Sequence, residues 1–188
     1  MNVLIVGGAG YIGSHTVRLL NQAGYKVVVL DNLSTGFEAA VTDSELIVGD
    51  ICDRILVESV LREHKIDAVM HFAALALVGE SVVDPAKYYQ NNIAATLELL
   101  EAMRACDVKR MVFSSSCATY GVPDKIPITE QTEQARVIRM GLPNLSLNGY
   151  WMTTQQLTDL DLQPCDTLTQ RVHRPKAVLV KIMIPNRI

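Results

Sequence analysis

Residues 2–13 read NVLIVGGAGYIG, and this stretch decides the fold. NVLIVG is a short apolar run that ends in glycine, the pattern of a parallel strand buried on both faces. YIGSHTVRLLNQAG, residues 11–24, follows as a helix. Ile12, Val17 and Leu20 form one apolar stripe, and Gly24 supplies the C-terminal stop. Between strand and helix lie Gly7, Gly8, Gly10 and Gly13. Counted from Gly8 the spacing is G-x-G-x-x-G; counted from Gly7 it is G-x-x-G-x-x-G. One glycine permits a tight turn. Another lets backbone approach a pyrophosphate. A third allows close helix–strand packing, and the helix N-terminus favours an anion. Such a spacing is weak alone, since a glycine turn can exist without a ligand. Here the next strand, KVVVLD, ends in Asp31. An acid at that place accepts from an adenosine ribose 2′-hydroxyl and repels a 2′-phosphate. No arginine directly follows it, so the expected dinucleotide is NAD rather than NADP.

Outward from this unit the same rhythm repeats. SELIVGD reads as a third strand and DRILVESVLREH as a helix. IDAVMHFAA reads as a fourth strand. A long helix is expected from about Asp84 to Cys106, with Ile93, Leu97, Leu100 and Met103 inward. VKRMVFSSS is the fifth strand. Strands alternating with helices imply βαβ units and a parallel sheet. The handedness of crossovers then gives an α/β, Rossmann-type doubly wound sheet.

The totals bound the class. The chain has 188 residues, with 49% hydrophobic residues and a formal net charge of −3. This suits one folded domain, argues against disorder of the whole chain, and gives no reason to expect a nucleic-acid partner. No apolar run is long enough to span a membrane. MNVLIVGGAG has no basic lead and no small-residue cleavage site, so no signal peptide is expected. The cysteines, Cys52, Cys106, Cys117 and Cys165, are scattered and form no CxxC. Reduced thiols and a cytoplasmic location are expected. His64 and His71 fall on different expected elements, so no metal site is expected.

The composition changes partway along. Residues 1–130 carry 10 Lys+Arg and 16 Asp+Glu, whereas residues 131–188 carry 7 and 4. Six of the eight glutamines lie in the second part. The strand–helix rhythm stops there too. The expected organisation is a dinucleotide-binding domain over residues 1–130 and an irregular tail without a recognisable domain over residues 131–188.

GGAGYIGSH, DNLSTG, GDI with Asp50, HFAA, VGESV, YYQNN and FSSSCATYGVP occur in this order. Together they resemble the extended short-chain dehydrogenases, and among them the UDP-glucose 4-epimerases. The resemblance covers about the first 130 residues, through KIPITE. It implies NAD as cofactor and a UDP-hexose as substrate. It implies cofactor contacts from Gly7, Gly10, Tyr11, Ile12 and Gly13 at the pyrophosphate. Asp31, Asn32, Leu33, Ser34, Thr35 and Gly36 would line the adenosine ribose, with Asp50 and Ile51 by the adenine. Phe72, Ala73 and Ala74 would run along the dinucleotide, and Asn92 would approach it from the long helix. Ser116 would hydrogen-bond the reacting sugar hydroxyl. Some members carry a lysine at the position of Ala76, so one cofactor contact is missing here. Read without the resemblance, Phe72 is equally a core residue, the serines a strand end, and Tyr88 and Tyr89 helix packing. Asn92 on an apolar helix is more informative, because a buried amide needs partners.

In such epimerases a tyrosine takes the proton of the sugar 4-hydroxyl while C4 gives hydride to NAD. The 4-keto sugar then rotates and hydride returns to the other face. A free phenol has a pKa of about 10 and is a poor base at neutral pH. A lysine one helical turn later favours the phenolate. The required pattern is Y-x-x-x-K, and this sequence has none. Tyr11, Tyr25, Tyr88, Tyr89, Tyr120 and Tyr150 are followed four residues on by His15, Val29, Asn92, Ile93, Asp124 and Thr154. The family's NPYGxTK or NPYGxSK should fall near residue 140. The chain instead reads RVIRMGLPN over residues 136–144.

Codons supply one explanation. Asn-Pro-Tyr written AAT CCG TAT becomes ATC CGT ATG when its first base is dropped and the first G of the following glycine codon is taken in. That spells Ile138, Arg139 and Met140, and the shifted reading continues through Gly141 to Asn144. A frameshift between Thr129 and Ala135 is therefore expected. Genuine divergence is the alternative, since free codon choice lets many peptides be rewritten as others. AVLVKIMI, residues 177–184, looks like a strand, though an accidental apolar run looks the same. The expectation is an inactive or severely impaired epimerase-like chain whose uncovered sheet edge invites homo-oligomers or aggregation. A non-catalytic NAD-binding or interaction module, or a related nucleotide-sugar dehydratase, remains the alternative.

Overall fold

The computed structural model describes residues 1–114, residues 126, 127, 129 and 132, and the backbone of residues 167–168 and 182–183. Its core is a five-stranded sheet of β1 (Asn2–Val6), β2 (Lys26–Asp31), β3 (Glu45–Val48), β4 (Ala68–His71) and β5 (Arg110–Phe113). The order across the sheet is β3-β2-β1-β4-β5, and every pairing is parallel. All five strands fall in the runs that the sequence assigns to strands.

Alternation along the strands builds two cores. Leu4, Val6, Val28, Leu30 and Val69 point to one face, against Val57, Val60 and Leu61 of helix α2 (Arg54–Glu63). Leu99, Leu100 and Met103 of helix α5 (Ala95–Ala105) complete that layer. Val3, Ile5, Val27, Val29 and Met70 point to the other face, against Val17 and Leu20 of helix α1 (Tyr11–Gln22). Burial on both faces explains why the strands read as continuous apolar runs. The sheet is doubly wound, as the sequence implies.

Local chemistry sets the helix ends. Gly24, just past α1, adopts φ +82°, a left-handed stop that its missing Cβ permits. The Asp53 carboxylate caps α2 by accepting from Leu56 N–H at 3.0 Å.

The long helix differs in detail from expectation. A short helix α3 (Val78–Val83) precedes it. Asp84 then caps α4 (Pro85–Tyr89), with proline in the first turn. A π-helical turn over Gln90–Ala94 joins α4 to α5, which Cys106 ends. Leu100 and Met103 are buried as expected, but Ile93 and Leu97 are only half-buried and Leu99 is fully buried. The wider π turn advances the inward face past Ile93.

Outside the sheet, β6 (Thr167–Leu168) pairs antiparallel with β7 (Ile182–Met183). β7 lies within the apolar run of residues 177–184. Among the described residues, no helix is long and apolar enough to cross a membrane.

Candidate functional site

Strand order reverses direction of winding between β1 and β4. In open parallel sheets the crevice at such a switch point, beyond the C-terminal strand ends, takes the ligand. Nearly all the residues singled out in the sequence cluster there.

The turn after β1 is compact backbone. Gly7 has φ +78°, and a Cβ on it would lie 2.6 Å from the backbone nitrogen of Ala73. Only glycine lets the β1 turn and the loop after β4 come this close. A Cβ on Gly13 would run into the Gly7 carbonyl oxygen, so α1 packs directly on the turn. Gly10 N–H donates to Gly7 C=O at 3.3 Å, and Ser14 N–H donates to Gly10 C=O at 2.9 Å. Among the described residues, no side chain caps the first turn of α1. Among the described residues, the N–H groups of Tyr11, Ile12 and Gly13 therefore have no acceptor. They form a row of donors of the kind that binds a phosphate.

Asp31 ends β2 and is 8% exposed. One carboxylate oxygen accepts from Ala9 N–H at 2.8 Å, the other from Leu33 N–H at 2.9 Å. The acid thus ties the glycine turn to the segment that starts at Asn32. Each oxygen keeps a lone pair, because a carboxylate offers about four acceptor sites. Asn32 continues the wall. Its side-chain oxygen accepts from Ser34 N–H at 3.0 Å, and its amide donates to Asp50 at 2.8 Å. Asp50 also accepts from Cys52 N–H at 2.9 Å. Burial pushes the Asp50 carboxyl up, but the hydrogen bonds from Cys52 and Asn32 prevail and hold it below the usual carboxylate range. Asp50 is therefore an anion at neutral pH. Ile51 beside it is buried. Thr35 is exposed, and Gly36 packs on Ala9, where a Cβ would lie 2.8 Å from the Ala9 Cβ.

Phe72 and Ala73 leave β4 half-buried, and Ala74 is exposed. Phe72 N–H donates to Val6 C=O at 2.8 Å, which extends the β1–β4 pairing to the crevice. Asn92, in the π turn, is 6% exposed. Its side-chain oxygen accepts from Leu75 N–H at 2.9 Å and its amide donates to Leu75 C=O at 2.9 Å. The buried amide finds its partners in the loop after β4. Ser116 lies outside the described residues, as does the segment 136–144 where the tyrosine and lysine were sought.

His71 and Thr96 form a buried pair without an expected role. The His71 ring is 2% exposed, and its Nε2 lies 3.0 Å from Thr96 Oγ1. Thr96 donates its one hydroxyl proton to Asn92 C=O at 2.9 Å. His71 Nε2 must then carry the proton that Thr96 accepts, which leaves Nδ1 bare. Among the described residues, Nδ1 is buried without a partner. Burial pushes the His71 pKa down to about 4, so the ring is neutral. Pattern reading could not find this pair, because HFAA places His71 simply as a strand end.

Known proteins share the sequence and the fold of this chain. The sequence model of the NAD dependent epimerase/dehydratase family matches residues 3–141. A UDP-glucose 4-epimerase of Lactobacillus helveticus is 57% identical over 133 residues, which are 70% of this chain and 40% of that protein. One from Rhizobium meliloti is 48% identical over 161 residues, 86% of this chain and 47% of that one. The crystal structure of a UDP-glucose 4-epimerase from Brucella ovis in complex with NAD superposes with a TM-score of 0.80 at 46% identity, covering 85% of this chain and 49% of that one. The Bifidobacterium longum enzyme in complex with NAD+ and UDP superposes at 0.79 and 37% identity, covering 84% and 50%. The chain spans about half the length of these relatives, or less. On sequence and fold together, the chain belongs to the NAD dependent epimerase/dehydratase family.

Proposed function

We propose that this chain binds NAD in the crevice between the β1 turn and the loop after β4. One observation carries the reading: a buried Asp31 carboxylate lies hydrogen-bonded to the glycine turn, beside the uncapped first turn of α1. The adenosine ribose meets Asp31, which favours NAD over NADP because a 2′-phosphate would face a carboxylate. The pyrophosphate meets Tyr11, Ile12 and Gly13 N–H. Gly10 leaves room for close approach, and Gly7 and Gly36, also assigned to the cofactor site, let its walls pack tightly. Asn32 to Thr35 with Asp50 and Ile51 flank the adenosine end, and Phe72 to Ala74 with Asn92 flank the nicotinamide side. When bound, NAD supplies hydride acceptance and return.

The family reaction proposed for this lineage is interconversion of UDP-glucose and UDP-galactose through a 4-keto sugar, in the cytoplasm. This chain has no Y-x-x-x-K and is inactive or severely impaired in that reaction. Without a tyrosine whose phenolate a lysine favours, the sugar 4-hydroxyl keeps its proton and hydride does not leave C4. Ser116 is the one expected catalytic contact that the sequence retains.

Titration with NAD and with NADP, followed by calorimetry, tests the binding. NAD should bind and NADP should bind at least about tenfold more weakly. Equal affinities, or none for either, would sink the reading. Turnover of UDP-galactose tests the inactivity: any rate that Ser116→Ala abolishes would overturn it.

A further inference from the structure

The segment Phe72–Leu77 after β4 belongs to no helix or strand, yet its backbone is heavily bonded. Asn92 takes both the N–H and the C=O of Leu75, each at 2.9 Å. One turn earlier on the same helix, the Tyr88 hydroxyl reaches the backbone of Leu77. The Tyr88 hydroxyl accepts from Leu77 N–H at 3.1 Å and lies 2.9 Å from Leu77 C=O. It also lies 2.8 Å from a Glu80 carboxylate oxygen, whose partner oxygen Lys87 holds at 2.6 Å. Residues four apart share a helix face, so both clamps reach the loop from one side. Tyr88 is 2% exposed, so the anchor is fixed by packing. Between the clamped residues, Ala76 is exposed, and its N–H has no acceptor among the described residues.

We propose that Tyr88 and Asn92 hold the backbone of residues 75–77 in place before any ligand arrives, which makes Tyr88 a positioning residue for the loop that lines the crevice. The benefit to NAD rests on the reading given under Proposed function. A loop already ordered loses less freedom on binding, so affinity is higher than for a loose one.

Amide hydrogen exchange tests the clamp without NAD. In the unsubstituted chain, Leu75 and Leu77 should exchange slowly and Ala76 fast. Equal fast exchange at all three overturns the proposal without any variant. Tyr88→Phe keeps the ring and removes the hydroxyl. It should raise Leu77 exchange about tenfold while β1 amides stay unchanged. Unchanged Leu77 exchange, or a rise shared by β1, overturns the proposal. NAD affinity should fall about tenfold in the same variant. Looser exchange with unaltered NAD affinity overturns the positioning role. If the unsubstituted chain binds no NAD, the binding reading fails, and the exchange pattern still decides the clamp.

Discussion

The glycine turn after β1 and the loop after β4 face each other across the switch point, and they are held in opposite ways. The turn is shaped by what is missing. Gly7 and Gly13 have no Cβ, and the chain folds tightly onto its own backbone. Two of its hydrogen bonds run between neighbours, Gly10 to Gly7 and Ser14 to Gly10. From farther away, Leu30 C=O accepts from Gly7 N–H, Phe37 N–H donates to Ala9 C=O, and Asp31 is the one side chain that bonds to it among the described residues. The loop after β4 is shaped by what is added. Side chains from a later helix, Tyr88 and Asn92, supply the partners that the loop lacks locally. A wall made of close-packed backbone tolerates no extra atoms. A wall held by side chains depends on a few polar contacts, each of modest worth.

Substitutions in the two walls sharpen this contrast. The largest effect is expected on the turn. In Gly13→Val the new side chain meets the Gly7 carbonyl, and backbone on both sides cannot give. The cost should be about 4 kcal/mol or more, with NAD binding lost. Denaturant unfolding measures it, and a cost under about 1 kcal/mol would show that the turn yields.

Next comes His71, the last residue of β4 before the other wall. Burial holds its pKa at about 4 in the folded chain, against an ordinary value of 6.5. As pH falls from 6.5 to about 4, the unfolded state takes up a proton that the folded state refuses. Stability from this group is therefore full above pH 6.5 and falls on acidification through that window, by about 3 kcal/mol at most. His71→Gln keeps a donor for Thr96 and does not titrate. It should flatten the stability profile between those pH values. An unchanged slope would assign the acid sensitivity elsewhere.

The smallest effect is expected at Asn92. Asn92→Ala unpairs the half-buried N–H and C=O of Leu75, which water can partly solvate. A loss of about 1–2 kcal/mol follows, with the β1 turn undisturbed. Hydrogen exchange that loosens both walls equally would erase the contrast between them.

Legibility followed the same divide. The strands, α1 and the glycine turn were readable because each is written in adjacent residues. Asp31 was readable because it ends an apolar run. The bounds expected for the long helix, about Asp84 to Cys106, coincide with its caps in the structure. The π turn was not readable, since nothing in QNNIA marks a wider turn. The short helix over VGESVV spans six residues, too few for a helical period to stand out. Asn92 stood out as a polar residue on an apolar helix, but its partner Leu75 is 17 residues away. Tyr88 reads equally as packing, and its partner Leu77 is 11 residues away.

By itself, then, the sequence determined the parallel sheet, the glycine turn with its acid, and the absence of any tyrosine with a lysine four residues on. These are properties of residue order and of missing atoms, which no folding can alter. Only the tertiary structure decided that Asn92 and Tyr88 spend their polar groups on the loop after β4. It alone decided that His71 is buried neutral with a bare Nδ1. Hydrogen-bond partners and desolvation depend on which distant segments meet, and those meetings are fixed when the helix packs against the sheet.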